Sequence, residues 1–220
     1  EHAEVQETAA AFRKALAGRS QTVVGNLERL RKLYAGRKVT RAAEIIRQTL
    51  ADGHSVVAWT WHQDVAKALH AALAGTPALY GPITQKTTQP ARERILEEIR
   101  SDSRPCVLIA SMGTLATAVS LNWASHEVFV ELDWTPAVIS QAEMRLFDGS
   151  RPISCVYMVA DCETDRRQAD ALLAKLEAAS SLSLKPGTGD VSDVLATTFG
   201  VDPGSTLDDV ASLILAAESL

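Results

Sequence analysis

Five short apolar runs occur between residues 55 and 159, and a stretch with helical spacing of apolar residues separates each run from the next. The runs span residues 55–60, 78–80, 106–110, 128–132 and 155–159. Runs that are apolar at nearly every position are typical of strands buried on both faces of a parallel sheet. Parallel strands require crossover connections, and the intervening stretches supply them. The pattern predicts an α/β fold with a doubly wound, mostly parallel sheet.

Helices are predicted between and around these strands. Apolar spacing places five of them at residues 64–74, 90–100, 115–119, 136–147 and 164–179. Ahead of the first strand, helices are predicted over 3–16 and 26–35, which end at Gly18 and Gly36. A further helix is predicted over 40–51, with Thr40 as its N-cap.

The composition changes after residue 180. Residues 185–189 read Lys-Pro-Gly-Thr-Gly and are typical of a linker. Asp190 and Ser205 then begin two predicted amphipathic helices. We divide the chain into an N-terminal helical segment (1–39), an α/β domain (40–180) and a linker with an acidic helical hairpin (181–220). The hairpin is expected to pack on its own domain or to dock on a protein partner.

The net charge of −5 arises in the tail. Residues 1–60 hold ten Lys/Arg against six Asp/Glu, whereas residues 181–220 hold one Lys against six acids. A neutral body with a basic N-terminal region is compatible with contacts to phosphates. No apolar run approaches the ~18 residues that span a bilayer, so no membrane contact is expected.

Cysteine usage indicates the cellular compartment. The three cysteines are an odd number without metal-type spacing, which favours a reduced, intracellular setting over a disulfide framework. That setting is the cytoplasm in a prokaryote or a virus of one, and the nucleus in a eukaryote. The start at Glu1, without an initiator Met, favours a piece of a longer protein.

Several catalytic patterns are absent from the sequence. It contains no G-x-x-x-x-G-K-[ST] or G-x-G-x-x-G phosphate loop, no nucleophile elbow and no histidines at ligand spacing. Glu131 and Asp133 end the fourth apolar run, where carboxylates hold metal ions in some nucleotide enzymes. Without a phosphate loop ahead of them, the simpler interpretation is acids at a solvated strand end. No metal site is therefore predicted.

A series of short motifs follows in order from residue 38 to residue 165. The first half contains a Lys38-Val39 helix start, the run 55–60, and Tyr80-Gly81 followed by Arg92, Leu96 and Ile99. The second half contains LIASMGTLATAVSLN (108–122), Trp134-Thr135-Pro136, Gln141-Ala142-Glu143-Met144-Arg145 and Thr164-Asp165. In this order and spacing the motifs resemble the C-terminal RecA-like domain of superfamily-two helicases. Within that superfamily they resemble the Swi/Snf-type double-stranded DNA translocases.

The resemblance implies an ATP site shared with another domain. Gln141 and Arg145 match the start of the family's motif VI, which implies nucleotide binding by both and a catalytic role for Arg145. An arginine suits that role because its guanidinium stabilises charge that develops on the transferring phosphate. ATP and Mg²⁺ would be held mainly by an N-terminal RecA-like domain of the same or a partner polypeptide.

The resemblance also implies contacts to the backbone of double-stranded DNA. Ser111, Gly113 and Thr114 match motif V, and Arg92 matches the preceding segment. Duplex DNA presents mainly its phosphates to such a protein. The tryptophans are interpreted as core or interface residues and not as base-stacking platforms; they are Trp59, Trp61, Trp123 and Trp134.

Two departures from the family pattern bear on activity. Asp148 stands at the second arginine place of motif VI, where a carboxylate would repel phosphate oxygens. Arg151, three residues on, is the candidate catalytic substitute. Motif V has Thr117, Ala118 and Ser120 where the family prefers glycines that allow close backbone approach.

Three functions follow as hypotheses. The leading one is the C-terminal half of an ATP-dependent DNA translocase that is inactive without its N-terminal RecA-like domain. The second is a catalytically degenerate helicase-like module that binds DNA or protein, as Asp148 and the acidic tail suggest. The third is an unrelated doubly wound nucleotide or sugar-phosphate enzyme, which only the fold class supports.

Overall fold

The computed structural model describes residues 7–8, 10–11, 22–115, 119–133, 135–147, 149–160, 165–166 and 169–170. The chain divides into two compact units, one of Ala35–Ala160 and one of Glu1–Tyr34 with Asp161–Leu220. In the latter, the described residues of the predicted helices 3–16 and 164–179 are helical. The predicted linker and hairpin at 181–220 lie outside the described residues. The domain boundaries at residues 39 and 180 stay a prediction.

The Ala35–Ala160 unit contains a five-stranded sheet in which every pairing is parallel. Its strands are β1 (Val56–Thr60), β2 (Leu79–Ile83), β3 (Val107–Ser111), β4 (His126–Phe129) and β5 (Ser154–Tyr157). Their order across the sheet is β2-β3-β1-β4-β5. β1 and β3 are buried at every position, as their continuous apolar sequences predict. The doubly wound parallel sheet is confirmed.

The helices determine where a ligand site is expected. They are α1 (Thr22–Ala51), α2 (Gln63–Ala72), α3 (Gln89–Ser101), α4 (Met112–Leu115) and α5 (Pro136–Glu143). The chain leaves β1 through α2 toward one edge of the sheet and leaves the adjacent β4 through α5 toward the other. Right-handed crossovers in opposite directions lie on opposite faces of the sheet. The carboxyl ends of β1 and β4 therefore form the topological switch point.

The core lies on both faces of the sheet. On one face, Ala42 and Ile46 of α1 and Leu69 of α2 pack against inward residues of β1, β3 and β4. Lys38 is buried beside this layer, and its Nζ donates to the carbonyl of Met158 at 3.2 Å. On the other face, the rings of Trp59, Phe129 and Tyr157 stack across β1, β4 and β5. None of the described helices has both the length and the apolar character of a membrane span.

α1 corrects the predicted N-terminal helices. Residues 26–35 and 40–51 belong to one continuous helix, so neither the stop at Gly36 nor the N-cap at Thr40 exists. Gly36 is exposed, and a β-carbon placed on it would meet nothing within 4 Å. A glycine inside a helix costs only ~1 kcal/mol relative to alanine. Apolar packing of Ala35, Val39 and Ala42 outweighs that cost.

The short helix after β3 begins earlier than the sequence predicts. α4 follows directly on Ser111 and covers residues 112–115, whereas the prediction was 115–119. Residues 116–118 lie outside the described part, and Val119 is not helical. The apolar residues Met112 and Leu115 are fully buried, so this single turn packs into the core.

Candidate functional site

The carboxyl end of β3 brings together three of the predicted DNA contacts. Ser111 is the last residue of β3 and pairs with Thr60 at the end of β1. Gly113 and Thr114 follow at once in α4. Ser111 is 5% exposed and Thr114 is 7% exposed. A strand end followed by a short helix holds these residues at the edge where α/β sheets bind their ligands.

Arg92 reaches the same place from the first turn of α3. Its Nη1 donates to the carbonyl oxygen of Thr114 at 3.4 Å. The Nε of Arg92 and the Oγ1 of Thr114 are buried, and neither has a hydrogen-bond partner within the described part of the chain. Buried polar atoms are nearly always paired in folded proteins, so these two atoms mark a place that a bound group can complete. We define the β3-end cluster as Arg92, Ser111, Gly113 and Thr114.

The loop after β2 adds Lys86, a candidate site residue that the sequence analysis missed. A β-carbon on Gly113 would lie 3.9 Å from Nε2 of Gln85, so this loop borders the β3-end cluster. The amide of Thr84 donates to Oγ1 of Thr87 and the amide of Thr87 donates to the carbonyl of Thr84, both at 2.9 Å. Lys86 is exposed in this tight turn. Its sequence signal was a lysine shortly after a strand end, which makes it a further candidate for phosphate contact.

Buried carboxylates occupy the switch point itself. Glu131 is 3% exposed and its Oε2 accepts from the amides of Trp61 and His62, each at 2.8 Å. Its Oε1 lies 2.5 Å from Nδ1 of His62. Asp133 is also buried and accepts from the amide of Thr135 at 2.7 Å, just before α5. The interpretation of these acids as solvated is wrong, because backbone donors of the two diverging connections hold them.

Two of the predicted ATP-site residues, Arg145 and Arg151, contact the loop that enters β4. Gln141 is exposed on α5, and the carbonyl oxygen of Arg145 accepts from the amide of Leu121 at 2.8 Å. Nη2 of Arg151 donates to the carbonyl oxygens of Asn122 and, at 2.8 Å, Ala124. Arg145 and Arg151 therefore converge on residues 121–124, at the amino end of β4.

Two sequence expectations about these residues need correction. α5 ends at Glu143 and not at 147, because its last turn tightens: the amides of Arg145 and Leu146 donate three residues back. Gln141 and Arg145 therefore do not share one face of a continuous helix. α5, which carries Gln141, packs against α4, which carries Gly113 and Thr114 of the β3-end cluster. Asp148 and Trp134 lie outside the described residues.

A buried carboxyl group lies on the face of the sheet that carries Trp59 and Phe129. Glu127 on β4 is fully buried and accepts from Nε1 of Trp59 at 2.9 Å and from Sγ of Cys155 at 3.0 Å. Burial raises the pKa of Glu127, because it disfavours the charged carboxylate. Burial and the neighbouring Glu127 also raise the pKa of Cys155, so its thiol stays protonated.

The raised pKa of Glu127 makes stability depend on pH. A carboxyl group whose folded-state pKa lies above its unfolded value supports the fold below the unfolded pKa, and this support is lost as pH rises through the folded pKa. We expect Glu127→Gln, which stays neutral, to unfold at a higher temperature than the wild type, by a margin larger at pH 8 than at pH 5. Thermal unfolding of both proteins at the two pH values measures the margin. A margin that does not change with pH would contradict the assignment.

Comparison with known proteins agrees with the fold and with the kind of protein that the motifs resemble. No protein-family model matches the chain. The SWI/SNF-related matrix-associated actin-dependent regulator of chromatin subfamily A-like protein 1 of Drosophila melanogaster is 28% identical over 171 residues, or 74% of this chain. The DNA annealing helicase and endonuclease ZRANB3 of Homo sapiens is 27% identical over 129 residues, or 58% of this chain. The chain spans only 22% and 12% of the lengths of these two relatives.

Solved structures share the same architecture. The SWI2/SNF2 ATPase core domain of Sulfolobus solfataricus superposes with a TM-score of 0.57 at 16% identity, covering 88% of this chain and 46% of that one. The C-terminal part of the Fun30 ATPase domain superposes with a TM-score of 0.55 at 12% identity, covering 76% of this chain and 47% of that one. The chain therefore has a RecA-like α/β fold. Its sequence and fold are similar to those of the C-terminal RecA-like domains of superfamily-two, Swi/Snf-type proteins.

Proposed function

We propose that this chain is the C-terminal half of an ATP-dependent, double-stranded DNA translocase. The observation that carries the proposal is the β3-end cluster, where Arg92 and Thr114 leave buried polar atoms unpaired at the ligand edge of the sheet. The names of the relatives, which refer to chromatin and to DNA annealing, also support a DNA substrate. By the same reasoning we propose an intracellular location.

The β3-end cluster suits a phosphate of the DNA backbone. A guanidinium donates several hydrogen bonds to phosphate oxygens and keeps its charge at any physiological pH. The Thr114 hydroxyl supplies a second donor, and exposed Lys86 adds a charge on the loop whose Gln85 borders Gly113. Contacts of this kind position a duplex without reading its sequence. We therefore expect binding that tolerates sequence and weakens with salt.

The residues around 121–124 fit the outer side of a nucleotide site. Bound ATP with Mg²⁺ supplies the energy that drives movement along DNA. Gln141 offers an exposed amide, and Arg145 offers a half-buried guanidinium on a main chain held by Leu121. We assign the phosphate loop and the Mg²⁺ ligands to an N-terminal RecA-like domain of the same or a partner polypeptide. We therefore expect no ATP hydrolysis by the 220-residue chain alone.

Arg92→Ala tests the DNA contact. We expect this variant to bind a blunt duplex about 10-fold more weakly than the wild type, with the slope of log affinity against log salt reduced by about one phosphate contact. Fluorescence anisotropy of a labelled duplex across a salt series measures both quantities. Turnover of ATP by the purified chain would contradict the role of an incomplete half.

Arg100→Ala is the matched control. Arg100 lies on the same helix, is exposed, and pairs with Glu97 at 3.1 Å, so its removal causes the same loss of charge far from Thr114. We expect less than a twofold change in duplex affinity. Equal weakening by both variants would mean that net charge alone, and not the β3-end cluster, determines binding.

A second candidate function rests on motif VI. Asp148 occupies the place of its second arginine, and Nη2 of Arg151 is bound to two main-chain carbonyls. A module that binds DNA without hydrolysing ATP would keep the β3-end cluster and lose the arginine chemistry. If the chain is such a module, Arg92→Ala still weakens duplex binding about 10-fold, and the complete polypeptide hydrolyses no ATP.

A further inference from the structure

Trp61 is an exposed aromatic residue at the ligand edge of the sheet. It follows β1 directly, and 39% of its surface is exposed, whereas Trp59 two residues earlier is fully buried. Its amide donates to Glu131 at 2.8 Å, as does the amide of His62. The buried carboxylate of Glu131 thus fixes the main chain that carries the indole. Trp61 is therefore not a core residue, and of the interpretation of the tryptophans as core or interface residues only the interface part applies to it.

Trp61 also lies beside the β3-end cluster. Thr60 pairs with Ser111, so Trp61 and the start of α4 leave two adjacent strands at the same level. Neighbouring strands are about 4.8 Å apart. An indole at this position can therefore reach a base or sugar attached to a backbone whose phosphate contacts Arg92 and Thr114.

We propose that Trp61 stacks on an unpaired nucleobase of DNA that is bound at the β3-end cluster. The proposal rests on the proposed function and adds a single-stranded element to its substrate. An indole offers a flat apolar face, and every base offers a π face, so stacking needs no particular sequence. Bases inside a continuous duplex already stack on each other and do not expose their faces at the groove edge. The preferred ligand is therefore DNA with an unpaired segment next to the phosphate contact.

Position distinguishes Trp61 from the other exposed apolar residues. Met144, Phe147, Tyr157 and Val159 are also exposed, but they belong to the α5 end and to β5. Isolated apolar residues on a surface are ordinary and by themselves indicate no ligand. Trp61 differs because a buried carboxylate holds its main chain and because a buried hydroxyl without a partner, Thr114 Oγ1, lies on the neighbouring connection.

The test compares oligothymidine with a blunt duplex on the complete 220-residue chain. We expect Trp61→Ala to weaken oligothymidine binding by about 5- to 150-fold, the range for one stacked base. Duplex affinity should change less than twofold, and Trp61→Phe should retain most oligothymidine binding. Oligothymidine should quench the tryptophan fluorescence of the wild type more than that of Trp61→Phe. Equal unfolding temperatures of the variants and the wild type show that the fold is intact.

The outcomes separate this proposal from the proposed function. If Arg92→Ala weakens DNA binding but Trp61→Ala changes neither ligand, the stacking role is wrong and the proposed function stands. Equal weakening of both ligands by Trp61→Ala also overturns stacking. Stacking is overturned as well if oligothymidine quenches the fluorescence of the wild type no more than that of Trp61→Phe. That result would assign Trp61 an apolar contact with a protein domain. If neither ligand binds the wild type, the proposed function itself fails.

Discussion

Arg145→Ala in the complete native polypeptide is expected to lower the DNA-stimulated kcat for ATP hydrolysis by about 10³-fold. The transferring phosphate gains charge in the transition state, and a positioned guanidinium stabilises it there more than in the ground state. The main chain of Arg145 is anchored to Leu121, so the side chain starts from a fixed point at the loop that enters β4. An alanine keeps that main-chain anchor and removes the side chain beyond Cβ, including the guanidinium.

Steady-state ATPase at saturating duplex DNA measures this effect. DNA affinity is expected to stay within twofold, because the proposed role of Arg145 is on the transferring phosphate of ATP and not on DNA. Arg100→Ala, which removes the same charge from an exposed position, is expected to leave kcat within twofold. A fall in DNA affinity that matched the fall in kcat would show that Arg145 acts through DNA binding and not on the phosphate.

Arg151→Ala distinguishes a catalytic substitute from a structural contact. Its Nη2 contacts the carbonyls of Asn122 and Ala124, so we expect this variant to unfold at a lower temperature and to lose ATPase by less than Arg145→Ala does. An equal ATPase loss with unchanged unfolding would assign Arg151 the role that Asp148 cannot fill. If the wild-type polypeptide hydrolyses no ATP, the non-catalytic module becomes the better description.

The sequence predicted the strands well because their signal is local. Each run that is apolar at nearly every position overlaps a parallel strand, although β4 ends at Phe129 and not at residue 132. The strands β1 and β3 are completely buried. Helix ends were less predictable. Gly36 has the sequence appearance of a stop, yet packing of the neighbouring apolar residues on the sheet keeps α1 continuous. Tertiary packing of this kind is not visible in a local window.

The candidate site was predictable in its parts and not in its assembly. Order and spacing of the motifs indicated Ser111, Gly113, Thr114 and Arg92, but the contact between Arg92 and Thr114 joins residues 22 apart in the chain. Glu131 was misassigned for a similar reason. Its partners follow β1, about 70 positions earlier, so nothing near it in the sequence indicates burial. Both the contact of Arg92 with Thr114 and the burial of Glu131 depend on the pairing of strands that lie far apart in the sequence.

Gly81→Ala is expected to destabilise the chain by about 3 kcal/mol or more, combining positive-φ strain with steric overlap. Gly81 lies in β2 with φ +91°, a conformation that L side chains rarely adopt. A β-carbon there would lie 2.4 Å from the carbonyl oxygen of Ile109 on β3, which is backbone and cannot rotate away. The pairing of β2 with β3 shifts register between Tyr80 and Ile83, so the glycine allows an irregular strand to stay paired.

Chemical and thermal unfolding measure the Gly81 effect, with Gly36→Ala as the matched control. A loss of 3 kcal/mol corresponds to a fall of about 6–12 °C in Tm for a chain of this size. Gly36→Ala makes the same chemical change in open space inside α1, and we expect it to raise stability by up to ~1 kcal/mol. Gly81→Ala should also weaken duplex binding, since β2 leads into the loop whose Gln85 borders Gly113. If Gly81→Ala were as stable as Gly36→Ala, β2 would be able to move away from β3 without cost. The pairing of Leu79 and Tyr80 with β3 opposes such a movement.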